Sequence, residues 1–153
     1  MTTSEIIKKY KNKSYSQLHK TSKRWFNQFI RLRDTDDNGY GNCISNGQRL
    51  KYGTKQAQAG HFFPGGQFKN LEFNEDNVHL QSLSDNYYGH SQGAMYSVNL
   101  LSKIGQERFL KLQQLAQQSK RNLFKEDRFL MIDIIETYKL KVKELSKSKN
   151  FKI

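Results

Sequence analysis

The segment 70–90 gathers residue types that bind metal ions and phosphates in proteins. It carries carboxylates, imidazoles and side-chain amides in a chain of 153 residues whose net charge is +12. Hard divalent cations prefer oxygen ligands, and imidazole is the usual additional ligand or general base. A loop with such side chains beside a strand bearing His61 could therefore hold one Mg²⁺ or Mn²⁺ ion. The loop residues concerned are Asp76, His79, Asp85, Asn86 and His90.

The same segment also admits a purely structural interpretation. Asparagine side chains cap turns through hydrogen bonds to the backbone, and Asn74, Asn77 and Asn86 could all do so here. The acidic residues would then only offset neighbouring lysines. From spacing alone this structural interpretation is the simpler one.

The chain as a whole is basic, with 26 Lys and Arg residues against 14 Asp and Glu residues. A basic surface favours a polyanionic partner, and nucleic acid is the default because each neutralised phosphate releases counterions. Cys43 is the only cysteine, which excludes an intramolecular disulfide and a multi-cysteine metal cluster. No apolar run approaches the roughly 20 residues that span a bilayer, and the N-terminus lacks the apolar stretch of a signal peptide. We expect a cytoplasmic protein without a membrane partner.

The elements that must position these residues can be predicted from periodicity. Length fits one domain. Apolar spacing predicts a helix from Ser16 to Arg33, two helical segments that join near Gly105, and a long amphipathic helix from Leu130 to Leu145. Between Cys43 and Phe63 we expect a hairpin or two short strands. The predicted boundaries are a basic arm or frayed helix at 1–15, one domain at 16–146 and a flexible basic tail at 147–153.

Several segments, taken in order, resemble one known family. They are WFNQFIRLRD (25–34), CIS (43–45), AGHF (59–62), FNEDNVHLQ (73–81), the following Asn86, and YSVNLLSKIGQERFLKLQ (96–113). Together they resemble the phage lambda NinG (Rap) recombination protein family. The match runs from about Trp25 to Tyr138, and for a phage-encoded protein the expected location is the cytoplasm of the host cell.

Members of that family resemble HNH, or ββα-metal, nucleases, which cut branched DNA such as Holliday junctions and D-loops. The resemblance implies an α+β fold with a small ββα-metal (HNH-like) core, a basic N-terminal helix and C-terminal amphipathic helices. It also implies a metal-dependent endonuclease that acts on branched recombination intermediates and uses one Mg²⁺ or Mn²⁺ ion.

The resemblance assigns roles to individual residues. His61 would activate water, Asn77 would hold the loop in register, and His79 would orient the phosphate or the loop. Asn86 would bind the metal, and the further candidate ligands are His90, Asp76 and Asp85. Basic residues of the first long helix would grip DNA phosphates, and these are Lys20, Lys23, Arg24, Arg31 and Arg33.

The chain departs from the family pattern at its zinc positions. The family commonly carries two Cys-x-x-Cys pairs that bind a structural zinc, and the matching positions here are Cys43, Asn46, Ser82 and Asp85. With one thiol of four, a tetrahedral four-cysteine site cannot form, so we expect no structural zinc and hydrogen bonds in its place. In addition, Gly60 precedes His61 where many HNH enzymes have an aspartate ligand.

Two other functions remain open from the sequence. The first is a non-catalytic, basic DNA-binding recombination accessory that has lost cleavage together with its zinc cysteines. The second is a basic helical protein that binds RNA or a protein partner, which accounts for the charge but not for the segment 70–90. The final amphipathic helix also offers a face on which two copies could form a homodimer.

Overall fold

The computed structural model describes residues 1–88, 93–119 and 125–151, and within them it is a mixed α+β structure. The described residues form six α-helices, two two-stranded antiparallel sheets and one 3₁₀ turn, joined by loops. The helices are α1 (Thr3–Lys9), α2 (Tyr15–Arg33), α3 (Leu83–Tyr88), α4 (Gly93–Ile104), α5 (Gln106–Ser119) and α6 (Arg128–Ser148). The strands are β1 (Tyr40–Asn42), β2 (Arg49–Lys51), β3 (Ala57–His61) and β4 (Val78–Ser82), and the 3₁₀ turn is Lys69–Leu71.

Helices α2 and α6 pack along each other and form the main core. Ser14 caps α2 in a reciprocal capping box with Gln17, which satisfies backbone donors that the first helical turn leaves free. Phe26 is fully buried and meets Tyr138 of α6 edge to face, with ring centroids 4.8 Å apart. The apolar stripe of α6 is therefore used inside the chain, so a homodimer would need another surface.

Both ends of the described chain pack on this core. Tyr10, just after α1, is 8% exposed, and its hydroxyl donates to Glu136 of α6. Helix α6 continues to Ser148, past the predicted boundary at 146, and Phe151 stacks on Tyr52 with ring centroids 5.7 Å apart. The predicted arm at 1–15 and the described part of the predicted tail thus contact the domain.

The four strands form two hairpins rather than one. Strand β1 pairs with β2 across a turn in which Asn46 accepts from the backbone of Gln48 and Gly47 has φ +74°. Strand β3 pairs with β4 in a register that places His61 opposite Val78. The two strands expected between Cys43 and Phe63 are present as β2 and β3, but each pairs with a partner outside that segment.

The β3–β4 hairpin is followed directly by α3, which packs on both strands. A β-carbon at Gly60 would lie 1.9 Å from Oε1 of Gln81. Only glycine therefore leaves room at this position for the Gln81 side chain. Helices α4 and α5, which meet at Gly105 as predicted, bury apolar residues against the connection between β3 and β4. That connection, residues 62–77, is consequently enclosed on one side by helices.

In the part of the chain that the structure describes, no helix combines the length and the apolar character that crossing a membrane requires.

Candidate nucleic-acid and catalytic site

His61 closes β3 and has one ring nitrogen engaged. Nε2 lies 2.9 Å from the carbonyl oxygen of Glu72, and because a carbonyl can only accept, Nε2 carries the proton. Burial lowers the pKa of His61 below its usual value, and the charge of Lys23 acts in the same direction. The ring is therefore neutral at pH 7, and Nδ1, which has no hydrogen-bond partner among the described residues, bears a lone pair. Such a nitrogen can accept a proton from water.

Asn77 fixes the loop that follows His61. It is 0% exposed, its Oδ1 accepts from the Phe63 backbone N–H at 2.8 Å, and its Nδ2 donates to the carbonyls of Phe63 at 2.9 Å and Leu71 at 3.0 Å. Both ends of the loop are thereby tied to one side chain. The Asn77 side chain therefore bridges the start and the end of this loop.

Sequence reasoning missed a pair of residues close to His61, formed by Glu72 and His19. The carboxylate of Glu72, an 8% exposed residue, lies 2.8 Å from Nε2 of His19 on α2. His19 stacks on Tyr15 and meets Phe73 edge to face. The two partners are far apart in the sequence and neither belongs to a motif, so no local signal could have paired them. The contact ties α2 to the residue whose carbonyl orients His61.

His79 lies in a buried charged network rather than at the surface. It is 2% exposed, and Nε2 donates to the carbonyl of Asp76 at 3.0 Å. Nδ1 accepts from Nζ of Lys103 at 2.9 Å and from Arg33 at 3.0 Å. Burial, followed by the charges of Lys103 and Arg33, outweighs the nearby Asp34 and lowers the pKa of His79. With both nitrogens engaged, His79 fits the loop-orienting alternative and has no free atom for a substrate.

Asp34 holds this network together at the end of α2. Its carboxylate accepts from Arg33 at 2.7 Å and from the Leu80 backbone at 2.9 Å, and pairs with Lys103 at 3.0 Å. Burial alone would raise the pKa of Asp34, but the contacts with His79, Arg33 and Lys103 bring it well below its usual range. The network thus joins α2, β4 and α4.

The expected phosphate contact at Arg33 does not fit this placement. Its guanidinium donates to Asp34, His79 and the carbonyls of Glu75 and Val78, and its side chain is 23% exposed. Because most of its N–H donors are used inside the protein, Arg33 is poorly placed to grip a phosphate. Arg31 is half-buried, and this burial lowers its pKa.

The other cations expected to bind phosphates are exposed. Lys20, Lys23 and Arg24 lie on the outer face of α2. Two of them also line a groove of about 430 Å³ between α1, α2 and α6. The cations along this groove are Lys9, Lys13, Lys20, Arg24 and Lys139.

Trp25 lies at the wall of the same groove, 5.2 Å from the guanidinium of Arg24 and 5.7 Å from Nζ of Lys139, measured to its ring centroid. Its buried indole N–H has no hydrogen-bond partner among the described residues. Glu136 lies beside the groove and pairs with Lys9. Cations outnumber acids along it, so the groove suits an anion.

The candidate metal ligands are not brought together. Asp76 pairs with Arg108 of α5, and Asp85 accepts from the thiol of Cys43. Asn86 is exposed on α3 and makes no side-chain hydrogen bond to another described residue, while His90 lies outside the described residues. Across 1–88, 93–119 and 125–151, no group of three or more His, Cys, Asp or Glu side chains could hold a metal ion. The described residues alone therefore do not complete a divalent metal centre.

The four positions that match the family's zinc ligands do lie together, joined by hydrogen bonds. The Ser82 backbone N–H donates to Sγ of Cys43 at 3.2 Å, and Asn46 donates to Oγ of Ser82 at 3.4 Å. The Asp85 backbone N–H donates to the same Oγ at 3.2 Å, and its carboxylate lies 3.8 Å from Sγ of Cys43. These contacts link the β1–β2 hairpin to the junction of β4 and α3.

Comparison with known proteins identifies relatives. The family model described as Bacteriophage Lambda NinG protein matches residues 2–149. The chain is 36% identical over 101 residues to Protein ninG of Escherichia phage lambda, covering 66% of this chain and 46% of the relative. It is 34% identical over 101 residues to Protein ninG of Enterobacteria phage H19B, covering 66% and 47%. The chain thus spans about half the length of these curated relatives. No solved structure matches the chain.

Proposed function

Since the chain belongs to the NinG family, as its sequence segments predicted, we propose that it is an HNH-like endonuclease that cuts branched DNA formed during phage recombination. The observation that carries this proposal is the state of His61. A neutral, half-buried imidazole donates through Nε2 to the carbonyl of Glu72 and leaves Nδ1 free to accept a proton. A general base must be unprotonated at the working pH and must have a free nitrogen or oxygen atom that can accept the proton.

The order of elements around His61 supports the same proposal. β3 ends at His61, the connection is held by Asn77, and β4 leads directly into α3, which carries Asn86. Strand, loop, strand and helix in this order are what the proposed ββα-metal core requires. The buried Asn77 then serves catalysis indirectly, because it fixes the loop from which Glu72 orients the imidazole.

In the proposed reaction His61 removes a proton from water, and the resulting hydroxide attacks phosphorus while the P–O bond to the leaving sugar oxygen breaks. The leaving oxygen takes up a proton from a second water molecule, and His61 then releases its proton to solvent. The Glu72 carbonyl keeps the ring in place and stabilises the imidazolium that forms. Lys23 is exposed, and its positive charge lowers the pKa of His61, so we propose that this lysine also contacts the phosphate. A bound Mg²⁺ or Mn²⁺, with Asn86 and one of Asp85 or His90 as expected ligands, would supply positive charge for the phosphate and the leaving oxygen.

The surface of α2 supports DNA as the substrate. Lys20 and Arg24 line the groove between α1, α2 and α6. Lys23, on the same helix, is also exposed, and its charge acts on His61. Contacts of this kind hold the phosphate backbone without reading bases. Branched DNA brings several backbones close together, so we expect a preference for branched over linear duplexes with little sequence preference.

A cleavage assay tests the proposal. A four-way junction and a linear duplex of matching sequence would be incubated with Mg²⁺, Mn²⁺ or a chelator. We expect metal-dependent cutting of the junction, and a loss of about 10²- to 10⁴-fold in His61→Ala, since a general base contributes this much. Gln114→Ala, on the exposed side of α5, serves as the control and should cut normally.

One other candidate function is that of a non-catalytic DNA-binding accessory, since this chain has one cysteine at the four family zinc positions and could have lost cleavage together with the zinc. The same assay separates the two proposals. If neither DNA is nicked with any metal while both are bound, the protein is the accessory.

A further inference from the structure

Helix α3 ends with two neighbouring tyrosines that face solvent. Tyr87 and Tyr88 are each 77% exposed, their ring centroids are 5.6 Å apart, and the ring planes are tilted by 56°. Neither hydroxyl bonds to another described residue. Large aromatic rings usually bury most of their area, so two exposed together mark a surface that binds something.

The rings border a groove of about 550 Å³ with a largely apolar wall. Its lining residues are Lys55, Gln56, Leu83, Ser84, Tyr87 and Tyr88. None of them is acidic, and Lys55 contributes a positive charge at the rim. A flat apolar ligand attached to negative charge therefore complements this groove in both shape and charge.

The groove lies where β3 begins, at the opposite end of the strand from His61, but it shares α3 with an expected site residue. Tyr87 directly follows Asn86 on α3, and α3 packs on β3, the strand that ends at His61. A ligand on the two rings would therefore lie on the helix that carries the expected metal ligand.

We propose that Tyr87 and Tyr88 form a stacking site for unpaired nucleobases of DNA, with Lys55 contacting the adjoining phosphate. Every base presents an aromatic face, so stacking tolerates any sequence while excluding bases that remain paired inside a duplex. This inference rests on the proposed function for its ligand, and it deepens that function by naming the substrate feature that is recognised. The feature is the set of bases that become unpaired at a branch point, which a linear duplex lacks.

Binding measured in the presence of a chelator tests the inference without requiring cleavage. Fluorescence anisotropy would compare a labelled oligo(dT) strand of roughly 12 nucleotides, within the usual range of single-strand site sizes, with a duplex of equal length. We expect Tyr87→Ala/Tyr88→Ala to weaken single-strand binding by about tenfold or more, since each stacked base contributes on this scale. Duplex binding should be unchanged.

Two matched variants sharpen the result. Tyr87→Phe/Tyr88→Phe keeps the rings and should bind single strands as the wild type does. Phe129→Ala removes a 67% exposed aromatic ring from α6 and should have no effect. The slope of log affinity against log salt should also be unchanged in the double alanine variant, because stacking releases no counterions.

Three outcomes would overturn the inference. These are unchanged single-strand affinity in the double alanine variant, an equal loss on duplex and single strand, or a Phe variant as weak as the Ala variant. Strong single-strand binding that needs both rings would stand even if the wild type cut no DNA, so failure of the endonuclease proposal remains distinguishable. A wild type that binds no single-stranded DNA would overturn the inference as well.

Discussion

A single buried amide holds the loop that carries the candidate site together. Replacing Asn77 by alanine removes three hydrogen bonds. The half-buried N–H and C=O of Phe63 lose their partner, and the Leu71 carbonyl keeps only its bond from the Asn74 backbone. Because an unsatisfied buried group costs about 1–3 kcal/mol, we expect Asn77→Ala to lower the free energy of unfolding by roughly 3 kcal/mol. Urea denaturation measures this change.

The control for this prediction is Asn12→Ala, at an exposed position between α1 and α2. Surface substitutions usually change stability by about 0.5 kcal/mol or less. If Asn77→Ala were as mild as Asn12→Ala, Asn77 could not be what fixes the loop.

His79 makes the stability of the fold depend on pH. Its pKa is lowered in the folded protein, so the unfolded chain binds a proton more readily as the pH falls through the usual histidine value of about 6.5. Stability from this group is present above that pH and is lost below it, by at most about 1.4 kcal/mol per pH unit for one proton.

Replacement by glutamine removes the titrating ring. We expect unfolding free energies measured between about pH 7 and pH 5 to fall less steeply in His79→Gln than in the wild type. His61, whose pKa is also lowered, still titrates in the variant, so some slope should remain. Equal slopes in the two proteins would contradict a neutral, buried His79.

At the scale of elements, hydrogen bonds among Cys43, Asn46, Ser82 and Asp85 connect the β1–β2 hairpin to α3. Since these bonds need no metal, we expect purified protein to contain no stoichiometric zinc and its melting temperature to be unaffected by a chelator. Elemental analysis and thermal melts check both points. Detection of one zinc per chain would refute this prediction.

The elements differ in how far they could be predicted from the sequence. Helices α2, α4, α5 and α6 bury apolar residues at regular helical spacing, which is a strong local signal. Strands β1 and β2 have three residues each, and β4 pairs with β3 across the connection 62–77, so neither length nor spacing could specify the pairing.

The candidate site shows the same limit. Resemblance to a family indicated His61 and Asn77, but their partners come from tertiary packing. Three contacts join distant parts of the chain. They are the hydrogen bond from His61 to the Glu72 carbonyl, the pair of the Glu72 carboxylate with His19, and the hydrogen bond from Lys103 to His79. The sequence likewise could not separate Arg33, which is used internally, from the exposed Lys20 on the same helix.

At the scale of the whole molecule, the positive charge of α2 should control DNA affinity. Each phosphate contact adds about 0.9 to the slope of log affinity against log salt on duplex DNA. We expect the variant Lys20→Ala/Lys23→Ala/Arg24→Ala to reduce this slope by roughly two to three and to weaken binding to all sequences alike. Titrations at several salt concentrations measure the slope.

Two exposed lysines on α6 that do not line the groove between α1, α2 and α6 provide the control. Lys143→Ala/Lys147→Ala also lowers the net charge but should leave the slope nearly unchanged. If both variants reduced the slope in proportion to the charge removed, the α2 surface would have no special role in holding DNA.

The packing of α2 on α6 has a consequence for synthesis in the cell. Ser22 of α2 bonds to the carbonyl of Met131 in α6, a residue 109 positions later. At about 5–20 residues per second, the ribosome needs roughly 5–20 seconds to synthesise the residues between these two positions. Throughout that time Leu18, Phe26 and Ile30 have no partner from α6, so the nascent chain presents an open apolar helix face. We therefore expect chaperone dependence to be set by the delay before α6 emerges.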